Sequence, residues 1–198
     1  MVVLAGGEGR RMGGRKPEQV FDDGTLLERA VAQARTWSPT VAVAVRHAGQ
    51  APGDLGVPLI LDDPDVGGPA AGLVAALAFA RREGADRLLT LPCDTPMLPA
   101  DLATRLEAAL AAPGEAEEAA VAVAASLGRL HPTCALWRPW VADALPAYLK
   151  GRASLRGFAE TCGMVVADWP CEAGADPFAN ANTPEELAAL QARARAGG

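Results

Sequence analysis

Five glycines crowd the eleven residues Leu4-Ala5-Gly6-Gly7-Glu8-Gly9-Arg10-Arg11-Met12-Gly13-Gly14, and Arg15 and Lys16 follow at once. Glycines let successive backbone N–H groups turn inward around an anion. Arg10, Arg11, Arg15 and Lys16 set cations beside them, so the loop suits a triphosphate. A flexible turn with solvated arginines is the plainer alternative. Gly7 and Gly9 form a Gly-x-Gly pattern, but Met12 stands where a dinucleotide fingerprint needs its third glycine, and no Walker Lys-Ser/Thr pair follows. A second candidate is Asp94 in Leu91-Pro92-Cys93-Asp94-Thr95-Pro96. There an apolar run ends in one carboxylate between two prolines that fix the backbone. One carboxylate, with nucleotide phosphates and waters, is a usual way to hold Mg²⁺; a turn-forming Asp is the alternative. Asp62 and Asp63 end another apolar run before Gly67-Gly68-Pro69. A carboxylate there can accept a pair of N–H donors from a ligand; a capping or solvated Asp is the alternative, above all for Asp63.

Scarce residues point to further positions. Of 18 basic residues only Lys16 and Lys150 are lysines; the only asparagines are Asn180 and Asn182, and the only histidines His47 and His131. Turn and cap chemistry explains one Asn in Phe178-Ala179-Asn180-Ala181-Asn182-Thr183-Pro184 better than it explains two. His131, in His131-Pro132-Thr133, is either a structural histidine or a substrate contact. His47 carries no motif and is expected in solvent. Arg152 and Arg156 are placed either to meet a phosphate or to be solvated on a helix. Trp137, Trp140 and Trp169 read as core or partly exposed anchors.

These residues need a scaffold, and the pattern supplies one. Strands are predicted at Met1–Leu4, Thr40–Val45, Pro58–Leu61, Asp86–Leu91, Ala119–Ala125, Pro132–Trp137 and Met164–Asp168. Helices are predicted at Thr25–Arg35, Pro69–Arg82, Pro99–Ala112, Val141–Leu149, Ser154–Cys162 and Pro184–Arg195, the last opened by a Thr183/Glu186 capping box. A Gly/Glu-rich surface turn is expected at 113–118 and a frayed end over 193–198. Strands alternating with helices imply an α/β fold: a three-layer, Rossmann-like α/β/α sandwich around a mostly parallel sheet. Such sheets bind ligands beyond the carboxyl ends of their strands. That rule selects the strand ends at 5–14, 62–68 and 92–96.

Composition sets the boundaries. A length of 198 residues with 50% hydrophobic content fits one packed domain. A net charge of −6 gives no basic face for nucleic acid. No apolar run approaches a membrane span and no secretory signal is visible, so a cytoplasmic location is expected. Cys93, Cys134, Cys162 and Cys171 form no CxxC or zinc spacing and read as reduced thiols.

Taken together, the motifs carry a resemblance. LAGGEGRRMGGRK looks like the signature loop of nucleotidyltransferases with the nucleotide-diphospho-sugar transferase fold. GGPAAGL at 67–73, LPCDTPMLPADL at 91–102, HPTCALW at 131–137 and FANANTPEEL at 178–187 resemble the molybdenum cofactor guanylyltransferase family, often called MobA. The resemblance implies one nucleotidyltransferase domain over 1–198, with a nucleotide-binding part over about 1–112 and a second-substrate part over about 113–198. It implies transfer of GMP from GTP to molybdopterin with release of pyrophosphate. It makes Asp94 the Mg²⁺ ligand. It assigns the backbone at Leu4, Ala5, Gly6 and Gly7, together with Asp62, to the nucleotide, and Lys16 with Arg10 or Arg11 to the departing pyrophosphate. His131, Arg152, Arg156, Asn180 and Asn182 are then expected around molybdopterin. Molybdoenzyme maturation proteins are the implied receivers of the product. Where some relatives carry an Asn on the second strand, this chain has Val43. A cytidylyltransferase or another NTP transferase of the same fold stays open as an alternative, as does a non-catalytic nucleotide- or cofactor-binding chaperone.

Overall fold

A computed structural model describes residues 1–7, 13, 16–51, 53–112, 119–151 and 154–196. Alternating apolar positions along each strand feed two faces of one seven-stranded sheet. The strands are β1 (Val2–Leu4), β4 (Ala42–Val45), β5 (Leu59–Leu61), β6 (Leu88–Pro92), β7 (Val121–Ser126), β8 (Arg129–Trp137) and β9 (Met164–Asp168). They lie in the order β5-β4-β1-β6-β8-β7-β9, and β8 pairs antiparallel with both of its neighbours. The sheet is therefore mostly parallel, as the alternation of strands and helices requires. A small antiparallel ribbon, β2 (Val20–Phe21) with β3 (Gly24–Thr25), lies outside it; strands of two residues are too short to leave a period in the sequence.

The three layers follow from side-chain alternation. Val3, Val43, Val45, Leu89 and Leu91 pack with Leu27, Val31 and Ala34 of α1 (Leu26–Trp37) and with Leu102 and Leu106 of α3 (Leu102–Ala111). Val2, Ala42, Ala44 and Leu88 pack on the other face against Leu73, Ala76 and Leu77 of α2 (Pro69–Arg82). Leu145 of α4 (Leu145–Leu149) and Phe158 of α5 (Leu155–Thr161) join that second face. A third cluster seats α6 (Pro184–Ala196) on the ribbon through Phe21, Leu26, Leu187 and Leu190.

Several expected boundaries change for local reasons. The helix expected over 141–149 is split into a 3-10 turn at Pro139–Asp143 and the short α4, because Pro146 cannot donate a helical hydrogen bond and favours a first turn. β8 begins at Arg129 rather than Pro132, turned back from β7 by Leu127 (φ 50) and Gly128 (φ 71). Two positive φ values make the tight hairpin turn that matches strand twist, and a leucine at the first hides that signal. Residues 193–196, expected to fray, belong to α6. Its capping box is rearranged: the Glu186 N–H donates to Thr183 Oγ1 (3.2 Å), while its carboxylate accepts the N–H of Asn182 (2.8 Å). The turn expected at 113–118 lies outside the described residues. Among the described residues no helix is long and apolar enough to cross a membrane.

Candidate active site

The parallel pairing of β1 with β4 and β6 brings three chain-distant strand ends together. A cavity of about 310 Å³ opens there. Leu4, Ala5, Gly6, Gly7, Lys16, Asp62 and Asp94 all line it. The start of the glycine loop, Leu4–Gly7, and the carboxylate at position 94 thus share one cavity. Sheet geometry divides the labour at its entrance. Ala5 N–H continues the ladder to Ala44 O (2.8 Å), so Ala5 contributes wall rather than a donor. The N–H groups of Gly6 and Gly7 donate to no described residue. Arg10 and Arg11 lie outside the described residues, as does Arg152.

Asp62 follows β5, where its N–H bonds Val45 O (2.8 Å) and its side chain crosses the loop above Gly6. A Cβ on Gly6 would stand 1.8 Å from Asp62 Oδ2, so only glycine accommodates that approach. Gly72 of α2 has a similar role, since its Cβ would meet Leu4 at 3.1 Å and Asp62 Oδ1 at 3.4 Å. Asp62 Oδ1 is buried without a hydrogen-bond partner. Burial raises the pKa of this carboxyl, and the positive Arg46 opposes the rise. Arg46, at the end of β4, lines the same cavity. The strand-end rule that selected 62–68 also points to it, although no motif does.

Asp94 is the meeting point of the two halves of the chain. Its backbone carbonyl accepts the N–H of Ala181 (2.8 Å). Lys16 Nζ, carried on a 3-10 turn at Lys16–Glu18 with Pro17 buried, donates to Asp94 Oδ2 and also to Asn182 Oδ1 (2.7 Å). The Lys16 and Asp94 side chains are only 12% and 17% exposed. Thr95 Oγ1 donates to Asn180 Oδ1 (2.7 Å). Both asparagines therefore do more than form a turn: each receives a hydrogen bond from a residue at or beside the first cavity. Cys93 beside Asp94 is buried, and desolvation, then the negative Asp94, push its thiol up to about 12. Cys134, equally buried, is also raised. Such thiols are core, not nucleophiles.

A second cavity, about 690 Å³, lies next to the first, and Thr133 lines both. His131, Asn180 and Asn182 line it too. The opening has a structural cause. The β6–β8 ladder ends at Thr90–Ala135, and the β7–β8 register shifts between Val123 and Ala124, opposite the stretch that holds Pro132. Proline cannot donate to a ladder and is tolerated at such irregularities. Arg156 is not brought to either cavity. It sits on α5, 65% exposed, and pairs with Glu160 one helical turn on (2.8 Å). Trp137 and Trp169 are core and Trp140 is exposed. His47 is in solvent, as expected. Ser126 and Asp176, near His131, escape sequence reasoning because they carry no motif, and Phe178 opens the 178–187 motif without a polar group of its own to signal a site.

A family model described as "MobA-like NTP transferase domain" matches residues 1–167. The chain belongs to the MobA-like NTP transferase family. It is a nucleotidyltransferase, as its motifs imply. A relative from Cereibacter sphaeroides, a molybdenum cofactor guanylyltransferase, is 41% identical over 198 residues, covering 98% of this chain and 96% of that protein. The crystal structure of molybdopterin-guanine dinucleotide biosynthesis protein A from Archaeoglobus fulgidus is similar at a TM-score of 0.73 and 21% identity, with 98% of each chain covered. The 2-C-methyl-D-erythritol 4-phosphate cytidylyltransferase of Thermus thermophilus gives a TM-score of 0.67 at 20% identity, again over 98% of each chain. At those identities the two structures establish the shared nucleotidyltransferase fold, and that fold alone does not select the base.

Proposed function

We propose that this MobA-like chain transfers GMP from GTP to molybdopterin, giving the guanine dinucleotide cofactor and pyrophosphate. The observation that carries the proposal is the double hydrogen bond of Lys16, whose ammonium joins Asp94 in the first cavity to Asn182 in the second. The new bond must form between two such cavities. In the reaction, a terminal phosphate oxygen of molybdopterin attacks the α-phosphorus of GTP. The bond from that phosphorus to the β-phosphate bridge breaks, and pyrophosphate leaves with its electron pair. The nucleophile is already anionic at neutral pH, so no general base is required. Positioning and neutralisation of negative charge carry such a transfer.

Within this scheme the first cavity takes the nucleotide. Asp62 accepts the N1–H and N2–H donors of guanine, a role supported by its unpartnered, buried Oδ1. The Gly6 and Gly7 amides face the phosphates, and Lys16 supports the leaving pyrophosphate with Arg10 or Arg11. The second cavity takes molybdopterin, with His131, Asn180 and Asn182 in its wall and Arg152 at its phosphate. Asp94 Oδ2 and Asn182 Oδ1 converge on a single cation, the Lys16 ammonium. An oxygen-only donor set with one carboxylate fits Mg²⁺, whose remaining ligands are phosphate oxygens and waters. Among the described residues no group of three His, Cys, Asp or Glu could hold a metal unaided. Asp94 is therefore its proposed protein ligand. Bound there, Mg²⁺ neutralises and orients the phosphates.

The chain then acts as one domain, nucleotide-binding over about 1–112 and second-substrate-binding over about 113–198. It works in the cytoplasm and passes its product to molybdoenzyme maturation proteins. The test is pyrophosphate release from purified protein with Mg²⁺, molybdopterin and either GTP or CTP. Release with GTP at a rate well above that with CTP is expected. Faster release with CTP makes the chain a cytidylyltransferase, and none with either nucleotide makes it a binding module.

A further inference from the structure

His131 stands at the end of a hydrogen-bonded chain whose direction is set by chemistry. Its Nε2 lies 2.7 Å from Ser126 Oγ, and Ser126 Oγ lies 2.8 Å from Asp176 Oδ1. A carboxylate only accepts. The single Ser126 hydroxyl proton is therefore spent on Asp176, and Ser126 Oγ can only accept from the histidine. Nε2 must carry a proton, and in a neutral imidazole Nδ1 then holds a lone pair. Burial disfavours the charged imidazolium more than the nearby Asp176 favours it, and Arg129 adds to the effect, so the pKa is lowered from 6.5. Nδ1 has no partner among the described residues, and the ring lines the second cavity.

The same carboxylate oxygen also fixes the ring plane. Asp176 Oδ1 accepts the N–H of Phe178 (2.9 Å), and the Phe178 ring stacks on His131 with centroids 4.6 Å apart and planes 12° off parallel. Trp169 closes on the edge of Phe178 at 5.2 Å. Ser126 is fully buried and Phe178 is 2% exposed, so the support is enclosed while the imidazole edge is open.

We propose that Asp176, acting through Ser126, is a positioning residue that holds His131 with Nε2 protonated and Nδ1 offered as an acceptor, so that His131 reads a ring N–H or amino donor of the second substrate rather than its phosphate. This rests on the second cavity taking that substrate. Nearby Asn180 and Asn182 have their side-chain oxygens engaged by Thr95 and Lys16, which leaves Nδ1 as an unengaged acceptor on this wall.

The two histidines make the test direct. In a His47→Gln background only one imidazole remains, and its two ring nitrogens are assigned by ¹⁵N NMR of the ligand-free protein at neutral pH. A protonated Nε2 with an unprotonated Nδ1 is expected; the opposite tautomer, or an even mixture, overturns the proposal. Ser126→Ala and Asp176→Ala are expected to mix the tautomers and raise the KM for molybdopterin about tenfold, the worth of one hydrogen bond. The KM for GTP and kcat should hold within about twofold on the same scale. Asp176→Asn keeps an oxygen facing the Ser126 and Phe178 donors and is expected to restore both readouts. Equal rises in both KM values, or no change in either, refute the positioning role. A wild-type chain inert toward GTP and molybdopterin refutes the functional reading and with it the ligand named for His131. A reversed tautomer in an active enzyme refutes this inference alone.

Discussion

The carboxylate of Asp62 makes the chain less stable than it need be, and the size of that cost can be worked out. Its Oδ1 is buried with no donor, and its Oδ2 lies so close over Gly6 that even a Cβ there would come within 1.8 Å. A buried polar group left unsatisfied costs about 1–3 kcal/mol. Asp62 is half-buried, so solvent screens part of its charge and about 1 kcal/mol is the fitting figure. Asp62→Asn preserves the shape and removes the charge; its amide still has a buried atom without a partner, so the gain is the part of the cost that belongs to the charge, an upper bound of about 1 kcal/mol. For a chain of 198 residues, about 1 kcal/mol moves the Tm by about 2–4 °C, and the variant should melt higher than wild type by up to that amount at pH 8. The pH dependence gives a second check. Because the folded pKa of Asp62 is raised above 3.8, its stabilising contribution is present below pH 3.8 and lost as pH rises through the folded value. The advantage of the variant should therefore shrink as the medium is acidified towards pH 4. GTP should reverse the order. At 100 times its Kd a ligand adds about 2.7 kcal/mol, and the amide of the variant offers guanine one acceptor where the carboxylate offered two. Differential scanning fluorimetry from pH 4 to 8, with and without GTP, measures all three effects. A variant that melts at or below wild type at pH 8 without ligand, or a gap independent of pH, would show that Asp62 is satisfied in a way the structure does not contain.

Other perturbations have similarly defined outcomes. Lys16→Ala should lower the rate of pyrophosphate release by about 10²-fold or more, as loss of a preorganised charge does, while Lys150→Ala, on the exposed end of α4, leaves it unchanged; equal effects in steady-state assays would leave Lys16 a purely structural link between Asp94 and Asn182. Asp94→Ala should abolish Mg²⁺-dependent release while circular dichroism stays native, and full activity in that variant would remove Asp94 from the metal site. Gly6→Ala should displace the Asp62 carboxylate and raise the KM for GTP more than that for molybdopterin. His131, with its pKa lowered from 6.5 by burial, takes up a proton less readily folded than unfolded. Stability should thus fall as pH drops below 6.5, and His131→Phe should flatten that slope in thermal melts, whereas an unchanged slope would assign it to another group.

What the sequence reveals depends on whether the information is local. The bounds of α2 are legible because Gly67-Gly68-Pro69 states both the turn and the first helical position, and Gly68 adopts φ 65 as its cap. The strand-end carboxylates are legible because a parallel sheet gathers its carboxyl ends on one side, whatever the strand order. The surface alternative for Arg156 is legible too, since Glu160 follows at the spacing of a helical ion pair; only the resemblance points it towards molybdopterin. Ser126 and Asp176 were not legible. They stand 50 residues apart, and they meet because β7 pairs with β9 in parallel and the chain then returns past the hairpin end. No periodicity encodes such a return. Leu127, at φ 50, hid the hairpin that turns β8 antiparallel.

The scarcity of lysine has its physical counterpart at position 16. Sixteen of the eighteen basic residues are arginines, so arginine is this chain's usual cation. The Lys16 ammonium instead meets two oxygens, on Asp94 and Asn182, that come from residues 78 and 166 positions away on different elements. A guanidinium is a flat fork matched to two oxygens of one carboxylate or phosphate, whereas an ammonium is a compact point that oxygens can approach from several directions. In a space that leaves the Lys16 side chain only 12% exposed, a larger planar group would need both oxygens near its own plane to bond them together. Lys16→Arg should therefore keep the charge and still lose most of the activity. If it did not, the contact with Asn182 would be incidental, and the two cavities would need some other link.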